Sequence, residues 1–318
     1  MKRLLTIFII FLIGSTASFA QSFNAGFLFG PGLTMGVDYV PDAAINDSTN
    51  FQFTKYKVQY VLPLKTKFGV KGLDLKNFSL KKLDAKASQI FLNTRFSVIQ
   101  PSQNNTDFYE NIYSGTLGIT AITASIKNGI WMYSANVYFS ENSTTITESP
   151  MPNFLGYIAN IRIKSLKFMY FYGASLAVNQ GKFVPIPILG FSAKLNSKFN
   201  ATLLFPVQAK ITYKASKNIK LELASNYDVL NTIYREGSSF QNNNNSINYS
   251  QLKTYIGLNT KLNNNFDLFF EGGYSSFKKV NAIHSDFSQN VDASWYGSFS
   301  IRYRFGKSVF ENFLNKQQ

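Results

Sequence analysis

The closing stretch Trp295-Tyr-Gly-Ser-Phe-Ser-Ile-Arg-Tyr-Arg-Phe305 decides the fold. Its odd positions are Trp295, Gly297, Phe299, Ile301, Tyr303 and Phe305, and its even positions are Tyr296, Ser298, Ser300, Arg302 and Arg304. Successive side chains of a strand point to opposite faces, so one face here is apolar and the other polar. The two faces meet different surroundings, as in a strand with lipid on one side and a water-filled interior on the other.

The same period of two runs backwards through the chain. Phe266, Leu268, Phe270 and Tyr274 alternate with Asp267, Phe269, Glu271 and Gly273. Leu252, Ile256 and Leu258 alternate with Lys253, Tyr255 and Gly257, and Ile219, Leu221 and Leu223 with Lys220, Glu222 and Ala224. Such segments are roughly ten residues long, the length that lets a tilted strand cross a bilayer. After residue 21 no apolar run approaches the ~18 residues of a membrane helix. Fourteen strands are expected, near 32–40, 51–63, 87–99, 113–126, 130–141, 155–164, 167–178, 185–195, 198–205, 207–214, 218–231, 248–262, 266–278 and 294–306. Phe205-Pro206 is read as a tight turn, because proline has no N–H for a ladder. Reading it as one kinked strand, with another merger elsewhere, lowers the count to twelve.

Short turns at Lys127-Asn128-Gly129, Lys164-Ser165-Leu166, Asn196-Ser197, Ala215-Ser216-Lys217 and Asn263-Asn264-Asn265 alternate with longer polar loops. Those loops are Pro101 to Asn111, Glu141 to Asn153, Ile233 to Ile247 and Lys279 to Asp292. Sorting of short and long connections to opposite ends is the mark of an all-β transmembrane antiparallel up-and-down barrel. The lysine-rich stretch 65–86 is read as a long connection at the short-turn end, or as an extra hairpin.

Composition agrees. Phe (31) and Tyr (18) are abundant and only 15% of residues are charged, while the formal net charge is +15. There is no cysteine, which removes disulfides, thiolate metal sites and a lipid-anchored cysteine. Lys2 and Arg3, the apolar run Leu4 to Ile13, and Ser18-Phe19-Ala20 have the order of a cleavable secretory signal. The expected organisation is a signal peptide at 1–20, a barrel at 21–306 and a short tail at 307–318, exported to the bacterial outer membrane.

With the apolar parity outside, the lumen receives Lys57, Arg95, Arg162, Lys210, Lys253, Asp267, Glu271, Arg302 and Arg304, together with Asp38, Lys55, Lys220, Glu222 and Asp228. A Lys or Arg at the bilayer midplane costs ~2–4 kcal/mol on the lipid face, which directs these charges inward. A net-basic lumen favours anions; the same charges could instead pair across the lumen and stiffen it. Tyr138, Phe171, Tyr255 and Phe269 share the inward parity and are candidates for ligand contact or lumen filling. Trp131, Tyr133, Tyr170, Tyr172, Tyr213, Tyr227, Trp295, Tyr303 and Phe305 suit interfacial girdles.

Catalysis has little to stand on. His284 is the single histidine, and Ser285 and Asp286 follow it too closely to form a triad in an extended chain. No hydrolase, phosphate-loop, dinucleotide or metalloprotease motif occurs, and no metal or cofactor is expected. The basic residues do not interleave with aromatics as in a nucleic-acid site, so no nucleic-acid partner is expected.

The signal peptide, the segment PILGFSAKLNSKFNATLLFPVQAKITYKASKNIKLELASNYD (Pro187 to Asp228) and the closing SWYGSFSIRYRFG resemble uncharacterised outer-membrane β-barrel proteins of Bacteroidota, grouped as a domain of unknown function. The resemblance implies a barrel in the outer membrane and no known substrate. Barrels of this kind often end on an aromatic residue read by the assembly machinery; here Phe305 is followed by Gly306 to Gln318. The expected partners are outer-membrane lipid and lipopolysaccharide, the barrel assembly machinery and a small anionic solute. Three functions are carried forward. They are a passive channel with a net-basic lumen, an interaction barrel with a filled lumen and binding outer loops, and a lipid-modifying enzyme centred on His284.

Overall fold

The computed structural model describes residues 30–46, 49–71, 84–103, 111–125, 129–165, 167–179, 182–234, 246–282 and 288–305. The signal segment, His284 and the tail beyond 305 lie outside these residues. The strands are β1 (Gly32–Asn46), β2 (Thr49–Lys71), β3 (Asp84–Gln103), β4 (Ile112–Ser125), β5 (Gly129–Asn142), β6 (Asn153–Ser165), β7 (Phe168–Asn179), β8 (Lys182–Lys194), β9 (Phe199–Phe205), β10 (Gln208–Lys214), β11 (Ile219–Tyr234), β12 (Ser246–Lys261), β13 (Phe266–Ala282), β14 (Ser288–Val291) and β15 (Ser294–Arg304).

Each strand pairs antiparallel with the next, and β15 pairs with both β13 and β1. The wall is therefore a closed barrel of fourteen strands; β14 is a short addition to the end of β13. Closure removes sheet edges, the condition for strands to span lipid. Gly32 opposes Arg304, so both chain ends of the wall lie at one end, here called the terminal end. The short turns sit there too. Three are tied by their own side chains: Asn196 and Asn263 accept the N–H groups of Phe199 and Phe266, and the Ser216 hydroxyl accepts that of Ile219. The other end is called the loop end.

Two connections differ from expectation. In the described part of 65–86, β2 and β3 simply continue, with Lys65 opposite Ile90 and Lys71 opposite Asp84. β1 has left β2 by then, its last rung being Gly32 to Val61, while β3 stays paired with β4 as far as the rung Lys86 to Ser125. The loop Lys279 to Asp292 is likewise shortened by the rungs Lys278 to Val291 through Asn281 to Ser288.

The outward face follows the parity read from sequence. Met35, Val58, Leu117, Ile158, Leu176, Leu189, Leu223, Ile256 and Phe299 are all exposed. Aromatics flank this band. Near the terminal end Tyr60 and Tyr303 each meet Phe305, Phe199 meets Tyr213, and Phe168 stacks with Phe191. Towards the loop end Tyr274 meets Trp295 at 5.5 Å. From Trp295 to Tyr303 is about 26 Å of strand at ~3.3 Å per residue, enough to cross the apolar layer.

The interior departs from a plain polar lumen. From β4 to β9 the inward positions are largely apolar: Ile122, Ile130, Met132, Leu155, Ile161, Ile186, Ile188 and Leu204 form one buried cluster. A second cluster, Val40, Phe53, Ile99, Ile112, Tyr249, Val280 and Tyr296, fills the loop side of the opposite half.

A crossing divides these halves. β9 and β10 are only seven residues each. They end at the Phe205–Pro206 turn, whose peptide bond is cis. β11 therefore loses its β10 neighbour after the rung Gln208 to Asn226. Its remaining residues run inward, and Ile233 and Tyr234 pair in parallel with Glu141 and Asn142 of β5. Val229, Asn231, Thr232 and Ile233 are buried whichever way they point, since the strand has interior on both faces.

Candidate functional site

The charged residues meet in the half of the lumen bounded by β11 to β15 and β1 to β3. Asp38 of β1 stands opposite Lys55 of β2, so both point inward. Its carboxylate accepts from Lys57 Nζ at 2.7 Å and from Ser298 Oγ of β15 at 2.6 Å. From the other wall Lys253 of β12 meets Asp228 of β11 at 2.9 Å, and its ammonium lies 5.1 Å from the Tyr296 ring centre. Asp38 and Lys55 lie in the field of Lys253, Arg95 in that of Asp228, and Glu271 in that of Lys57 and Asp38. Four cations thus face three carboxylates across the lumen. The Asp228 side chain keeps 41% of its surface open and Lys57 30%, so the cluster is hydrated. Solvent access screens these pairs and weakens them as a brace.

Towards the terminal end the pairing is tighter. Arg304 of β15 is bonded to the fully buried Asp267 of β13. Arg302 donates from Nε to Thr34 Oγ1 at 3.2 Å, and its guanidinium lies over the Phe269 ring at 5.1 Å. Lys210 reaches Glu222 at 3.5 Å, with each side chain about a quarter exposed.

The other inward aromatics divide between the halves. Tyr255 joins the charged side: its hydroxyl accepts from Asn226 Nδ2 at 3.1 Å and its ring meets Tyr296 edge-on. Tyr138 and Phe171 belong to the apolar side. Phe171 lies across Gly190, where any Cβ would overlap its ring.

Arg162 stands apart. It shares the parity of Phe154 and Ile158, both exposed on the outer face, and it opposes the outward Tyr170. In Leu155 to Ile163 the odd positions are the more apolar ones, and Leu155, Tyr157 and Ile161 face a buried apolar interior, so the rule that the apolar parity faces lipid pointed the wrong way there. A ladder of small polar groups runs across β3, β4 and β5: Asn93 donates to Thr120 at 2.7 Å, Thr120 meets Ser134 at 3.0 Å, and Asn136 donates to Ser134 at 3.0 Å. Nothing in the sequence marks these residues as neighbours. Among the described residues no group of His, Cys, Asp and Glu is placed to hold a metal ion.

A closed barrel with an apolar belt, two aromatic girdles and inward charges is a transmembrane β-barrel. The chain belongs to the family described as Domain of unknown function (DUF6268), whose model matches residues 18–310. No curated protein matches in sequence. Among solved structures, an outer membrane channel from Pseudomonas putida F1 is 10% identical, with 89% of this chain and 100% of that one covered and a TM-score of 0.37. The translocator domain of the autotransporter NalP from Neisseria meningitidis is 9% identical, covering 95% and 96% of the two chains, with a TM-score of 0.32. The transport unit of the autotransporter AIDA-I from Escherichia coli is 10% identical, covering 92% and 98%, with a TM-score of 0.30. No functional argument rests on likeness at this level.

Proposed function

We propose that this protein is an outer-membrane barrel, exported by a cleaved signal peptide and inserted with its terminal end in the periplasm, that is shut towards the loop end. Its lumen then acts as a binding chamber and not as an open diffusion pore. One observation carries the reading: β11 crosses the interior and pairs with β5 through buried residues. The apolar cluster around Phe53 and Tyr249 supports it from the loop side. The hydrated cluster of Lys55, Lys57, Arg95 and Lys253 with Asp38, Asp228 and Glu271 would receive a small anion from the terminal end. Lipid and lipopolysaccharide would contact the outer face, and the assembly machinery would insert the barrel.

The test is electrical. Purified, refolded protein showing heat-modifiable migration is added to planar bilayers at high load. Silence is expected. Stable open currents in the unmodified protein would overturn the closed reading and favour the second one, an anion-selective passive channel, which the excess of cations over carboxylates supports.

A further inference from the structure

The inner face of β10, β11 and β12 carries an unbalanced charge at the terminal end. Lys210 and Lys214 of β10, Lys220 of β11 and Lys261 of β12 share the parity of Ala224 and Tyr255, which are buried inward. Ile211, Leu221, Leu223 and Leu258, on the other parity, are exposed on the outer face. Lys214 stands directly opposite Lys220. Side chains so placed have Cβ atoms about 5 Å apart, and like charges there repel. Lys220 lies in the field of Lys261, Lys210 and Lys214 as well as in that of Glu222.

Little on these strands offsets the four ammonium groups. Among the described residues only Lys210 of the four forms an ion pair, with Glu222 at 3.5 Å. Lys261 faces Asp267 across the rung between β12 and β13, but Asp267 is bonded to Arg304. Four cations against one carboxylate leave three positive charges unbalanced. A lysine placed opposite a lysine adds nothing to the stability of the empty barrel, whereas an anion between the two turns repulsion into attraction. Lys214 is exposed and the other three are partly exposed, so solvent and solutes reach the cluster. Neutral donors share its face: Asn259 stands opposite Lys220, and Thr212 opposite Glu222. Their amide and hydroxyl can donate to an oxyanion. An anion with one charge would balance one lysine; a compact anion with two or more charges can bridge Lys214, Lys220 and Lys261. The cluster is separate from the one around Lys253, which lies six residues along β12 from Asn259, about 20 Å of strand.

We propose that Lys210, Lys214, Lys220 and Lys261 form a binding site for a soluble multivalent oxyanion of the phosphate class at the terminal mouth of the lumen. The site goes beyond the chamber around Lys253 and does not depend on the loop end being shut. The probe is inorganic pyrophosphate, titrated calorimetrically into the refolded barrel in uncharged detergent. Saturable binding is expected, weakened about tenfold by Lys220→Gln, as the loss of one charge-assisted contact predicts. Glu222→Gln, which removes the one carboxylate, should tighten it about threefold. Lys253→Gln should leave the affinity unchanged. Absence of saturable binding overturns the proposal. Binding that Lys253→Gln weakens and Lys220→Gln does not would also overturn it, while keeping the chamber and placing the anion there. Acetate that displaces pyrophosphate at equal concentration would overturn the assignment to a multivalent anion. If Lys220→Gln lacks heat-modifiable migration, Lys214→Gln, at an exposed position, is read in the same way.

Discussion

Ile233 of β11 stands in parallel register with Glu141 of β5, although five strands separate the two along the wall. Parallel pairing arises because both strands run towards the loop end and meet across the interior, not around it. The contact follows from the short β9–β10 hairpin, which leaves the upper part of β11, still paired with β12, without a neighbour on its β10 side.

Breaking that contact should open the barrel. Ile233→Pro removes a ladder N–H at a residue that is 3% exposed. Steady single-channel currents are expected from the variant where the unmodified protein is silent. A variant that is folded by heat-modifiable migration and equally silent would show that the crossing is not the closure.

The opened variant also tests which charges line the path. Adding Lys253→Gln should shift the reversal potential in a salt gradient towards weaker anion preference, since Lys253 sits within the hydrated cluster. Adding Arg162→Gln should leave it unchanged, because Arg162 lies on the outer parity. Equal shifts from both would contradict the assignment of faces.

Two ion pairs should differ sharply in weight. Asp267→Asn leaves Arg304 without its buried partner, and loss of one member of such a pair costs ~3 kcal/mol. Glu222→Gln breaks a partly solvated contact at 3.5 Å and should cost less than ~1 kcal/mol. Urea unfolding in detergent, followed by tryptophan emission, reads both. Comparable losses would mean that burial does not set the difference.

Gly190→Ala should be destabilising by ~1–3 kcal/mol, because the added methyl meets the Phe171 ring and the Leu203 carbonyl. Adding Phe171→Leu should recover part of the loss. Gly272→Ala, where nothing lies within 4 Å of the added carbon, should be near neutral in the same assay.

Most of the wall was legible in the chain because a strand's parity assigns every side chain to a face. Trp295 to Phe305 and the segments before it carry that alternation plainly, and the inward placement of Lys57, Lys253, Asp267 and Arg304 follows from it. Around Arg162 the more apolar parity of β6, Leu155, Tyr157 and Ile161, faces a buried apolar interior, so apolar character no longer marks the lipid side and the reading loses its reference. The Asn93, Thr120 and Ser134 ladder was hidden for another reason: its members are brought together by register between strands, and register depends on turns and bulges far from them.

The sequence by itself thus determined an antiparallel barrel of fourteen or twelve strands and the side on which most charges stand, since those depend on period and turn chemistry alone. Only the tertiary structure decided that β11 pairs with β5, five strands away along the wall. That outcome depends on where β11 goes once Pro206 has ended its neighbour, a choice made by packing between strands distant in sequence, which no local pattern records.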